Sequence, residues 1–117
     1  MYKAIYSAMA DETSDAIRDN EKQAFERSLT LLRAAQDKGR GSRESVEALL
    51  FVNRLWTILM EDLALDDNRL PQELRASLIS IGIWVLRRAE DIRQGRVADF
   101  TALIEVSESI KNGLKAN

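Results

Sequence analysis

Apolar residues recur along this chain at intervals of three and four rather than in alternation, so the elements to expect are amphipathic helices. The first periodic stretch begins near Ser14 as N-cap and brings Ile17, Ala24, Phe25, Leu29, Leu31, Leu32 and Ala35 into one broad arc before Gly39 ends it. The second starts at Ser42, another N-cap, and runs to about Leu65 with Val46, Leu49, Leu50, Trp56, Met60 and Leu63 on its main face. Pro71 opens the third in its first turn, where a missing N–H has no intrahelical partner, and Gly95 closes it as a left-handed C-cap. Its main stripe is Leu74, Leu78, Ile81, Val85, Ala89 and Ile92. The fourth is capped by Asp99 and aligns Phe100, Leu103, Ile104, Ile110 and Leu114, with Gly113 weakening its end. The arm before these stretches, Tyr2 to Met9, reads equally as strand or coil. With short connections at 37–41, 66–71 and 94–97, the pattern predicts an all-α, small antiparallel bundle of about four helices with a short N-terminal arm, one domain over residues 1–117.

Two of these helices carry more apolar surface than one face can hold. In the second, Phe51, Leu55 and Ile58 form an additional stripe roughly opposite Trp56 and Met60. In the third, Ile79, Ile83 and Leu86 form a stripe displaced from the Leu78–Val85 face, and Trp84 projects from yet another side. A helix apolar on several sides is either surrounded in its own fold or presents the surplus to a partner. One reading makes these two helices the central pair of the bundle; the other makes them a groove for a partner's amphipathic helix, with Trp, Met and Arg as anchors. The pattern alone leaves both open. Asn53 falls within the main apolar arc of the second helix, where its amide is expected to find a structural hydrogen bond.

Composition removes many chemistries. The chain of 117 residues contains no Cys and no His, so thiolate nucleophiles, disulfides, Ser-His-Asp relays, zinc fingers and imidazole ligation are ruled out. A formal charge of −2 provides no general attraction to nucleic acid or anionic membranes. Residues 1–10 lack the cationic start and apolar run of a secretory signal, and no apolar stretch spans a bilayer, so a cytoplasmic protein is expected. Glu61-Asp62 are helical neighbours that point apart, and Asp66-Asp67-Asn68 lacks the spacing of a calcium loop, so both read as turn and capping residues. Gly39-Arg40-Gly41 has no strand before it and reads as a turn rather than a phosphate cradle. Lys38, Arg40 and Arg43 cluster at the first turn, and Arg87, Arg88, Arg93 and Arg96 line the end of the third helix. No stacking aromatics of an RNA-binding signature accompany either cluster, so direct RNA binding is disfavoured. No spacing of Asp, Glu, Lys or Tyr assembles an active site, and no enzyme, cofactor or metal is expected.

A more specific signal lies in runs of sequence. Glu47-Ala48-Leu49-Leu50-Phe51-Val52-Asn53-Arg54-Leu55-Trp56 is followed by Asn68-Arg69-Leu70-Pro71-Gln72-Glu73-Leu74-Arg75-Ala76 and Leu78-Ile79-Ser80-Ile81-Gly82-Ile83-Trp84-Val85, then Leu103-Ile104-Glu105-Val106. Together these resemble the FlaF family of flagellar biosynthesis regulators of alphaproteobacteria, over nearly the whole chain including Tyr2 and Tyr6. Ser107 departs from the family pattern, which has asparagine there. The resemblance implies a non-enzymatic protein that promotes flagellin synthesis and export as a flagellin-binding partner or secretion chaperone, in functional opposition to an FlbT-type regulator. It transfers no catalytic residue. Flagellin's terminal segments, disordered in the free subunit, would need cover for their apolar faces. The surface expected to hold such a segment comprises Phe51, Leu55, Ile58, Ile83, Trp84 and Arg87. The alternatives are direct action on flagellin mRNA through the basic clusters, or homodimerisation of a helical adaptor through the surplus stripes. The oligomeric state is not legible in the sequence.

Overall fold

Each periodic stretch forms a helix in the computed structural model, which describes residues 14–97 and 99–115, with side chains over 22–97 and 99–113. These are α1 (Ser14–Lys38), α2 (Arg43–Leu63), α3 (Gln72–Arg93) and α4 (Thr101–Lys115). No strand occurs among the described residues. The arm at Tyr2–Met9 and the side chains of Ile17 and Leu114 lie outside what is described.

The helix ends follow from local chemistry. Gly39, at φ +95°, closes α1 by donating to the carbonyl of Ala35 at 2.8 Å, a left-handed cap that suits glycine. Ser42 then starts α2: its hydroxyl accepts from the Ser45 N–H at 3.1 Å and donates to the Gly39 carbonyl at 2.7 Å. Pro71 stands one position earlier than its expected place in the first turn of α3. It is the N-cap residue, with φ −53° and ψ 143°, and its carbonyl accepts from the Arg75 N–H at 3.0 Å. Gly95, at φ +82°, ends α3 in a Schellman arrangement, with Gly95 N–H on the Ile92 carbonyl and Arg96 N–H on the Asp91 carbonyl. The Asp99 carboxylate accepts from the Thr101 N–H at 3.2 Å and thereby caps α4 as expected.

Buried side chains hold the α2–α3 connection. Asn68 donates from its amide to the Asp62 carbonyl at 3.2 Å and accepts from the Leu70 N–H at 3.1 Å. The Arg75 guanidinium reaches back to the carbonyls of Leu63 and Leu65, supplying donors and positive charge where the end of α2 has unpaired carbonyls. The residues at 66–68 thus serve the turn.

Helix order across the bundle differs from one reading of the sequence. The central pair is α1 and α2, not α2 and α3: α1 packs between α2 and α4, α3 packs on the other side of α2, and α3 barely touches α4. The core lies between these layers, where Trp56 meets Phe25 edge-on at 5.9 Å, surrounded by Leu32, Leu59, Leu63, Ile92 and Phe100. Because α1 lies beside α2, the buried arc of α2 turns toward α1 and takes in Ala48, Val52 and Leu55. That rotation leaves Val46 and Leu50, expected as core, 66% and 49% exposed. It also exposes Asn53, which was expected to be enclosed. Helix α3, with one substantial neighbour among the described residues, buries Gly82, Val85, Ala89 and Ile92, while Leu74 of its expected main stripe is exposed.

Candidate functional site

The six residues expected to hold a partner do not form one surface. Leu55 is 3% exposed and belongs to the core, which removes it from any contact site. Phe51 is half-buried against the same core, while Ile58, one helical line further on, is 48% exposed. On α3, Ile83 is 42% exposed and Arg87 is exposed. Trp84 is half-buried, and the Arg88 guanidinium lies 5.3 Å from its ring centroid, a cation–π contact. At about 100° per residue, Ile83 and Trp84 point in different directions, which leaves Ile83 exposed and Trp84 half-buried.

A cleft forms instead where α2 begins and α3 ends. Its volume is about 590 Å³, and none of the six expected residues lines it. The apolar floor comes from Val46, Leu49 and Leu50 of α2 and Ala89 of α3. Val46, Leu50 and Asn53 are spaced by four and three and therefore fall along one line of α2.

The polar groups of the cleft are unevenly satisfied. Glu90 accepts from Arg93 at 2.6 and 2.9 Å and from the Gln94 amide at 2.7 Å. The Arg93 hydrogen bonds, followed by that of Gln94, pull the Glu90 carboxyl down to about 2, and the same contact raises Arg93 above its ordinary value. Arg40, at the cleft mouth, forms no hydrogen bond or ion pair with a described residue. Its guanidinium lies over Gly95, where a Cβ would come within 3.3 Å of it, so the absence of a side chain at Gly95 makes room for the charge. Neither Asn53 nor the buried Ser45 hydroxyl makes a side-chain hydrogen bond with a described residue.

Sequence reasoning missed Val46, Leu50 and Asn53 as surface groups, although it placed Arg40 in a basic cluster at the turn. The signal of those three was present in their i, i+4, i+7 spacing, but it was read as core because the placement of α1 was not legible. The basic cluster at the end of α3 is partly neutralised: Arg93 pairs with Glu90, Arg96 with Asp91 at 2.9 Å, and Arg88 lies on Trp84.

The model of the family described as "Flagellar protein FlaF" matches residues 2–114. This chain belongs to the FlaF family. The match spans all four helices, so the bundle and its cleft are features of a FlaF-family chain and the protein is flagellar-related. No curated protein matches it, and no solved structure does. Among the described residues, no helix is long and apolar enough to cross a membrane.

Proposed function

We infer that this FlaF-family protein is a cytoplasmic, non-catalytic flagellin-binding partner or secretion chaperone that promotes flagellin synthesis and export, with a functional link to an FlbT-type regulator. The observation that carries this reading is the apolar surface left open on α2 and α3. Among the described residues, helix α3 has only α2 as a substantial neighbour, and Val46, Leu50, Ile58, Leu74 and Ile83 remain exposed on the two helices. Exposed apolar side chains on adjacent helices suit the amphipathic segments of a subunit awaiting export, which would otherwise present their own apolar faces to water. Of the residues singled out in the sequence, Ile58, Ile83 and Arg87 are the exposed members available to such a partner. Direct action on flagellin mRNA draws less support, because three of the four arginines at the end of α3, Arg88, Arg93 and Arg96, are engaged within the chain.

Size-exclusion chromatography and calorimetry against purified cognate flagellin test the reading. A stoichiometric complex with a negative heat-capacity change is expected, since apolar surface would be buried. Absence of a complex at tens of micromolar would overturn it, and a salt-sensitive complex with the flagellin leader RNA alone would transfer the function to the basic clusters.

A further inference from the structure

We propose that the cleft between the start of α2 and the end of α3 is the docking site, and that its occupant is an acidic amphipathic helix of flagellin: two apolar side chains one turn apart enter the cleft, and a carboxylate meets Arg40. The proposal deepens the flagellin-binding reading and rests on it.

Shape and charge define the occupant. Val46 and Leu50 are separated by one helical turn and both exposed, so they meet side chains at the i, i+4 spacing of a partner helix. A volume of about 590 Å³ accommodates a few side chains rather than a whole helix, as expected where one helix lays its apolar edge into a groove. Charge within the cleft is unbalanced. Arg93 and Glu90 neutralise each other, which leaves Arg40 as the lining charge with no ion-pair partner among the described residues; in sequence it lies between Asp37-Lys38 and Arg43-Glu44. The positive end of the α2 dipole lies at the same mouth. Glu44 and Glu47, the nearest carboxylates on α2, do not line the cleft. A cationic mouth over an apolar floor therefore selects an acidic rather than a basic amphipathic segment. Asn53, which is exposed, provides an amide, unengaged among the described residues, for the polar edge of that segment.

The test is a titration of full-length protein, methyl-labelled at Val and Leu, with full-length cognate flagellin at physiological salt, paired with calorimetry of variants. Signals of Val46, Leu49 and Leu50 are expected to move. Leu50→Glu and Arg40→Glu are each expected to weaken binding by about tenfold or more, the magnitude of a central interface residue. Arg27→Glu, at an exposed position of α1 that does not line the cleft, should bind as the parent does. Leu50 and Arg40 are outside the core, and an unchanged far-UV helical signal with an unchanged Tm verifies that the variants fold; Val46→Lys provides a second apolar probe. If flagellin binds but these methyl signals stay still and the variants retain full affinity, the cleft assignment falls while the flagellin reading survives. If flagellin forms no complex with the parent protein, both fall.

Discussion

Gly82 of α3 faces Met60 of α2 so closely that a Cβ at position 82 would stand 2.5 Å from the Met60 sulfur and 3.1 Å from Cε3 of Trp56. The close approach lets α3 lie against α2 although it has little other support among the described residues. Alanine has the higher helix propensity, worth about 1 kcal/mol over glycine, but here that gain meets a crowded interface. Met60 can swing aside, whereas Trp56 is fixed in the core.

Gly82→Ala is therefore expected to be destabilising by about 1 kcal/mol net, read from the denaturant midpoint. Combining it with Met60→Ala should remove most of the clash. A double-mutant cycle with no coupling between the two positions would contradict the close packing.

Helix α4 depends on one amide of α1. Gln36 accepts from the Phe100 N–H at 2.8 Å and donates to the Thr101 hydroxyl at 2.9 Å, joining the middle of the bundle to the first turn of α4. Gln36→Ala should destabilise the protein by about 1–2 kcal/mol and accelerate hydrogen exchange in α4 before α2. Uniform acceleration across all helices would count against a local role.

The helices, their boundaries and three caps were legible because they depend on nearest neighbours in sequence: Ser42, Gly95 and Asp99 act within one turn of themselves. The inward face of α2 was not. Phe51, Leu55 and Val46, Leu50 flank the buried line from opposite sides, and periodicity alone assigns either pair to the core. The position of α1, a property of the whole fold, buries Leu55 and exposes Leu50. The cleft was illegible for the same reason, since Arg40 and Ala89 are far apart in sequence and meet only when the α1–α2 turn lies beside the end of α3.

Leu55 and Ile58, once read as one stripe, should behave oppositely on substitution. Leu55→Ala removes a core side chain and should be destabilising by about 2–5 kcal/mol, whereas Ile58→Ala should change stability by about 0.5 kcal/mol or less. Chemical denaturation of both variants decides the matter. Equal losses would mean that α2 is rotated relative to the arrangement described here.

Acid should loosen the end of α3 late. Glu90 titrates near 2 in the folded chain, below its ordinary value of 4.5, because the charged carboxylate is hydrogen-bonded by Arg93 first and Gln94 second. A depressed carboxyl contributes stability that is fully present above the unfolded value and is lost as the pH falls through the folded one, so the sensitive window runs from about 4.5 down to about 2. Arg93 shifts upward and remains charged across that window, so protonation of Glu90 alone breaks the pair. Both side chains face solvent, with 63% of Arg93 and 45% of Glu90 exposed, and salt should weaken the effect. A carboxyl-carbon NMR titration should place the Glu90 midpoint near 2 at low salt and higher in concentrated salt. A midpoint at the ordinary value would show that the Glu90–Arg93–Gln94 contacts do not persist in solution, and with them would go the neutralisation that leaves Arg40 as the charge of the cleft.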